Sequence, residues 1–99
     1  MKTGSIIIIN LLSPKECFFG RLVELGTAGI TVRGIDLSAF EDWMTNLLEE
    51  DETGVRPTTI FFPLHRVEKI LLDEGIGVIP SFADIFLTRV GSSVFDRLE

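Results

Sequence analysis

Residues 16–33 read ECFFGRLVELGTAGITVR, and this stretch decides the fold. Glu16 to Leu25 is rich in β-forming residues that alternate between two faces on either side of Gly20, which predicts a strand. The segment 26–29, GTAG, supplies two glycines for a short hairpin connection. Residues 30–33 alternate between apolar and polar side chains, so we expect a second strand that pairs antiparallel with the first.

Three more strands are predicted on either side of this hairpin. Residues 5–12 are apolar at nearly every position, which is typical of a strand buried on both faces. Residues 58–62 are β-branched and aromatic and end at Pro63, and residues 67–72 form the last strand. Short connections favour antiparallel pairing, and five strands in so short a chain favour a small five-stranded antiparallel barrel.

A helix is predicted at about 38–48, between the third and fourth strands. From Phe40 onward, apolar side chains follow the spacing of one helix face, and Ser38 with Glu41 is expected to form a capping box. One or two further helices are predicted at about 81–98. The fold class is therefore α+β, mainly β.

We expect a single domain over residues 1–99. The barrel is predicted to cover about residues 5–73, and the C-terminal helical segment about 80–98. In that segment Ser81 has the position of an N-terminal cap and Gly91 that of a C-terminal cap.

The composition narrows the class of protein. Of its 99 residues, 45% are hydrophobic, which suits one hydrophobic core and is too apolar for disorder. No apolar run approaches the roughly 20 residues of a membrane-spanning helix, so no membrane partner is expected. The start of the chain lacks a secretory pattern, and we expect a cytoplasmic protein. The net charge of −6 disfavours a domain devoted to nucleic acid.

The sequence contains no recognisable catalytic or metal-binding motif. Cys17 is the only cysteine, which excludes an internal disulfide, and we expect it to be a buried apolar side chain. His65 is the only histidine, and no glycine-rich phosphate loop is present. Glu49 to Glu52 could attract a cation loosely, but the run is more typical of a solvated loop. We therefore expect no enzyme activity, no cofactor and no metal.

The chain resembles the Sm-like family of SH3-like small barrels over roughly residues 16–73. The segment 19–25, FGRLVEL, followed by GITV at 29–32, is similar to that family's first motif, in which a glycine lets a strand bend. Residues 60–70, IFFPLHRVEKI, are similar to its closing pair of strands. The resemblance implies a small barrel, assembly through strand edges and, in rings, RNA binding. The family's Asp and Asn at the base-binding loop are not found in residues 26–29.

The local basic cluster His65, Arg66 and Lys69 is the candidate contact for an anion or RNA. Arg21 and Arg33 could join it if their strands pair nearby. The alternative is that these charges pair with neighbouring acids, which is the common fate of surface charges. Nucleic acid is therefore a partner that the sequence allows without favouring.

Apolar side chains on both faces of several strands predict self-association. A barrel has one interior, so either the helices or a second subunit must cover the other face. The candidate interface residues are Ile7, Ile9, Phe61 and Phe62. The predicted function is a non-catalytic homo-oligomeric assembly or protein-interaction module, and the alternative is an Sm-like RNA-binding protein.

Overall fold

A computed structural model describes all residues from Met1 to Glu99. It contains five strands and three helices, and the predicted fold class, α+β and mainly β, is confirmed. The strands are β1 (Ile6–Leu11), β2 (Glu16–Leu25), β3 (Gly29–Asp36), β4 (Thr58–Pro63) and β5 (Val67–Leu72). The helices are α1 (Phe40–Leu48), α2 (Phe82–Val90) and α3 (Val94–Arg97), and single 3-10 turns lie at Leu37–Ala39 and Leu64–Arg66.

The strands form one antiparallel sheet in the order β4-β3-β2-β1-β5. β4 and β5 are the two outer strands, and no ladder joins them, so the sheet is open rather than a closed barrel. It is nevertheless curled, because Phe62 of β4 and Ile70 of β5 pack into the same cluster. In a flat five-stranded sheet the outer strands would lie roughly 19 Å apart, too far for their side chains to share one cluster.

The concave, inner face of the sheet holds one of two apolar clusters. Phe18 and Phe62 meet there edge to face, with ring centroids 5.4 Å apart. The buried members of this inner cluster are Ile7, Ile9, Leu11, Phe18, Leu22, Ile30, Val32 and Phe62. This cluster fills the concave side of the open sheet, where the sequence predicts the interior of a barrel.

The convex, outer face of the middle strands is covered by the three helices. Phe19 of β2 packs edge to face on Phe40 of α1, and Trp43 stacks at 4.8 Å from Phe86 of α2. The buried members of this outer cluster are Ile6, Phe19, Ile35, Phe40, Trp43, Met44, Phe86, Val94 and Leu98. The helices thus account for most of the second apolar face, and Phe95, which sequence periodicity directs inward, is half exposed.

Gly20 marks a place where β2 and β3 approach closely. It lies directly opposite Gly34. A Cβ built at Gly20 would lie 2.8 Å from the Gly34 Cα and closer still to the Arg33 carbonyl oxygen. Gly20 therefore has a structural role, as the sequence predicts. The close approach of the two strands also requires the second glycine, Gly34, on the opposite strand.

The start of α1 differs from the predicted capping box. Asp36 caps the 3-10 turn that leads into α1: its carboxylate accepts hydrogen bonds from the Ser38 amide at 2.9 Å and from the Ser38 hydroxyl at 2.6 Å. Ala39 has the N-cap position of α1 itself and forms no side-chain capping bond. Ser38 lies in the 3-10 turn that precedes the helix. Glu41 instead forms an ion pair with Arg89 of α2. The predicted Ser38–Glu41 box is wrong because a carboxylate two residues upstream is the competing acceptor.

The caps predicted for α2 are confirmed. The Ser81 hydroxyl accepts from the Asp84 amide at 3.0 Å, and Gly91 adopts a left-handed conformation with φ 88°. Asp73, just after β5, adds a long-range cap by accepting from the amides of Phe82 and Ala83, both at 2.9 Å. This residue anchors α2 to the end of the sheet. None of the helices has the length and apolar character needed to cross a membrane.

Candidate assembly surface

Three of the four predicted interface residues lie in the core. Ile7 and Ile9 are fully buried and Phe62 is 6% exposed, all in the inner cluster. The expectation that they line an interface is corrected: the curl of the sheet covers them within one chain. Phe61 differs, because it lies on the outer face and is 52% exposed.

The predicted basic cluster is only partly assembled. Arg66 donates from Nε to the carbonyl oxygen of Leu12 and from Nη2 to the carbonyl oxygen of Pro14. Its Nη2 also donates to Glu16 Oε1, and all three distances are 3.0 Å. This arginine therefore braces the turn between β1 and β2. His65 is exposed in the adjoining 3-10 turn, and Lys69 is exposed on β5 opposite Asn10. Of the three residues, His65 and Lys69 keep side chains that a ligand could reach.

Arg21 and Arg33 lie on the outer face, directly opposite each other on β2 and β3. Neither forms a salt bridge, although the chain is acidic, and the Nε of Arg21 is buried without a hydrogen-bond partner. Arg33 extends toward β4, where its Nη1 donates to Thr59 Oγ1 at 3.4 Å and its Nη2 donates to the main-chain oxygen of Glu99 at 3.3 Å. The outward direction of this guanidinium is a feature that sequence reasoning did not identify.

Cys17 is exposed, which corrects the expectation that it is buried. Its thiol donates to Asn10 Oδ1 at 3.0 Å. It lies in an open cleft of about 690 Å³ lined in part by Lys15, Asp36 and Glu68. No histidine lines this cleft, and a thiol without an adjacent base lacks the usual activation of a nucleophile.

One carboxylate of the acidic loop after α1, that of Asp51, is hydrogen-bonded within the loop. The Thr53 hydroxyl and amide both donate to Asp51 Oδ1, at 2.8 and 2.9 Å. These hydrogen bonds, the hydroxyl first, hold the pKa of Asp51 below its usual 3.8. No group of three or more His, Cys, Asp or Glu side chains is arranged to hold a metal ion.

The outer edge of β4 carries unpaired backbone groups. The Leu64 amide donates to the Ala28 carbonyl oxygen at 3.1 Å, one step beyond the β3–β4 ladder. Hydrogen bonds in an antiparallel pair alternate, so Ile60 and Phe62 bond to β3 while Thr59 and Phe61 direct their N–H and C=O groups away from the sheet. A second strand could bond to these groups.

The β4 edge surface, defined as residues 58–63 with Leu64, is apolar and uncharged. Its sequence is TTIFFPL, and Ile60, Phe61 and Leu64 are 37%, 52% and 41% exposed. Natural sheet edges are usually protected by charged side chains, bulges or a covering element. β4 carries no charged side chain, bulge or covering element along its length, and its protection consists of a proline at each end, Pro57 before the strand and Pro63 as its last residue.

The outer edge of β5 is different. The Asp73 amide donates to the Ile6 carbonyl oxygen, so Ile70 and Leu72 are the residues whose backbone groups point outward. Charged side chains stand along and beside this edge, and a bulge interrupts its ladder with β1. These charged residues are Glu68, Lys69, Asp73 and Glu74. Within β5 itself, Leu71 and Leu72 are also exposed, at 42% and 45%.

A second exposed apolar feature follows β5. Ile76 and Ile79 form an isolated bridge around Gly77, and Val78 at the tip is fully exposed. This turn, the β4 edge surface and the paired arginines are the features that a functional account has to explain. Comparison of the chain with family models, with curated proteins and with solved structures finds no match.

Proposed function

We propose that this chain is a non-catalytic assembly module that works as a homo-oligomer. The observation that carries the proposal is the open edge of β4, which combines unpaired backbone groups with exposed Ile60 and Phe61 and no charge. Backbone groups left unpaired beside apolar side chains are a template for another strand. The resemblance to Sm-like barrels, in which subunits join edge to edge, supports the same type of contact.

Burial on the outer face limits where assembly takes place. The helices cover the middle strands through the outer cluster, and the inner cluster is closed by the curl of the sheet. Exposed apolar side chains remain at the β4 edge surface, in β5 and the turn after it, and singly elsewhere; those in β5 and the turn are Leu71, Leu72, Ile76, Val78 and Ile79. Of these surfaces, β4 also supplies hydrogen-bonding groups in a regular strand that carries no charge.

Light scattering coupled to gel filtration tests the proposal at micromolar concentrations. We expect a mass of at least twice 11.0 kDa for the wild-type chain. Phe61→Lys should shift it to monomer, because the lysine places a charge at the edge. Leu87→Lys is the matched control, because Leu87 is also 52% exposed but lies on α2. An 11.0 kDa wild type across the concentration range contradicts the proposal.

RNA binding is the second candidate, favoured by one observation. Arg21 and Arg33 form no ion pair with an Asp or Glu side chain, and on the same outer face Phe61 exposes part of a ring on which a base could stack. Arg33 does donate to the main-chain oxygen of Glu99, at 3.3 Å. The net charge of −6 and the internal role of Arg66 count against it. Anisotropy with a uridine-rich oligomer at physiological salt tests it: binding lost in Arg33→Gln supports RNA recognition, and no micromolar binding removes it.

A further inference from the structure

We propose that two copies join through β4 itself, antiparallel and about a two-fold axis, with Ile60 of one copy opposite Ile60 of the second copy. This interface rests on the proposed homo-oligomeric function and specifies how it is built. The partner is a second copy of this chain, and the shared element is a single continuous sheet of ten strands.

The direction of the free backbone groups selects this arrangement. In an antiparallel pair, two residues that exchange hydrogen bonds project their side chains to the same face. On β4 the free groups belong to Thr59 and Phe61, which face outward with Arg33; on β5 they belong to Ile70 and Leu72, which face inward. A regular β4–β5 ladder would therefore join the outer face of one copy to the inner face of the other.

Pairing β4 with β4 removes this mismatch, because residues of the outer face then meet residues of the outer face. Pairing β5 with β5 would also match the faces. It would, however, bring Glu68, Asp73 and Glu74 of two acidic chains together. β4 has no charged residue between Pro57 and Leu64, so two copies meet there without repulsion.

The two prolines favour the register centred on Ile60. In this register Pro57 lies opposite Pro63 of the second copy, so the two residues that lack an N–H mark both ends of the ladder. Between them, Thr59 faces Phe61 of the second copy. Their N–H and C=O groups exchange hydrogen bonds on both sides of the axis, and every outward amide of the strand gains an acceptor.

The side chains fit this register on both faces. On the outer face Thr59, whose Oγ1 accepts from Arg33 at 3.4 Å, stands opposite Phe61 of the second copy. The ring of Phe61 packs over Gly29 of its own chain, where an added Cβ would lie 2.5 Å from Cζ of the ring. On the inner face the half-exposed Ile60 side chains meet at the axis and cover each other.

Disulfide formation in a Cys17→Ser background tests the register. Ile60 is hydrogen-bonded to β3 but is a non-hydrogen-bonded position in the proposed ladder between the two β4 strands. At such a position opposite Cα atoms lie about 4.5 Å apart, within the range of a disulfide. Ile60→Cys is therefore expected to form a covalent dimer under mild oxidation. Thr58→Cys, on the same face but opposite Phe62, should remain monomeric on a denaturing gel. A dimer by light scattering without an Ile60 disulfide overturns this interface and leaves the homo-oligomer standing.

Amide hydrogen exchange on the unmodified chain provides a second, independent test. Raising the protein concentration should increase protection of the Thr59 and Phe61 amides at least tenfold and leave those of Ile70 and Leu72 unchanged. Protection of all four amides indicates a β4–β5 contact and overturns the two-fold pairing. A chain that remains a monomer at every concentration overturns both the interface and the proposed function.

Discussion

Gly20→Ala is expected to destabilise the protein because β2 and β3 have no room for a methyl group between them. The new Cβ would lie 2.8 Å from the Gly34 Cα and closer to the Arg33 carbonyl oxygen, whereas ordinary contacts begin at 3.4 Å. Both obstacles are backbone atoms, so no side-chain rotation relieves them. The two strands would have to separate by more than half an ångström at the centre of the sheet.

The magnitude follows from two opposing effects. Overpacking a well-packed site costs about 1–3 kcal/mol, and a backbone obstacle puts this site toward the upper end. Restricting the unfolded chain by replacing glycine returns about 0.4–1 kcal/mol. The net loss in free energy of unfolding is about 2 kcal/mol, and for a domain of this size each kcal/mol lowers Tm by about 4–8 °C.

Urea denaturation followed by circular dichroism measures the effect. The control is Gly26→Ala, where the nearest atom to an added Cβ is 4.0 Å away and no loss of stability is expected. An unchanged m-value would show that the mutation changes stability rather than the extent of unfolding. If Gly20→Ala lowers the free energy of unfolding by less than about 0.5 kcal/mol, or if Gly26→Ala loses as much as Gly20→Ala, then the close approach of β2 and β3 is not what requires glycine.

Two cap predictions use the same denaturation assay. Asp73→Ala should lower the free energy of unfolding by about 2 kcal/mol, because the amides of Phe82 and Ala83 lose a charged acceptor; a change below about 0.5 kcal/mol would show that water replaces it. Asp36→Ala should cost about 1 kcal/mol and Ser38→Ala less than half of that, since the Asp36 carboxylate caps the 3-10 turn before α1; the reverse order would restore the capping box predicted from the sequence.

The strands and helices were predictable because each depends on local periodicity and on turn residues. β2 and β5 begin and end at the residues that the alternating pattern indicates, and α1 ends at Leu48 where the acidic run starts. The caps were less predictable. Asp36 and Ser38 are both good acceptors two residues apart, and the choice between them depends on the 3-10 turn that tertiary packing imposes.

The arginine pair could not be predicted because it depends on a bulge. From the hairpin pair Leu25–Ile30, a regular ladder would place Arg21 opposite Gly34. The ladder shifts by one residue between Leu22 and Glu24, which brings Arg21 opposite Arg33 instead. A single extra residue thus changes which side chains meet, and the hydrophobic pattern alone does not reveal it.

The interface residues were misassigned for a different reason. Ile7, Ile9 and Phe62 are apolar and lie in strands, which is equally true of core and interface positions. Their burial depends on the curl that brings β4 and β5 to one cluster, a long-range property that no local segment specifies. Phe61 differs only because side chains alternate along β4, which directs its ring to the outer face. The helices cover the middle strands of that face and leave Phe61 outside the outer cluster.

The unequal protection of the two sheet edges bears on how far assembly can proceed. A contact between different edges, β4 with β5, leaves one free edge of each kind and continues into a ring or a filament, whereas a contact of β4 with itself uses the same surface on both copies and closes at two. The edge of β5 carries charges and a bulge, which are the features that discourage strand addition, and the edge of β4 carries neither. On the proposed pairing of β4 with β4, we therefore expect assembly to end with the dimer, and a larger assembly by light scattering would contradict this expectation.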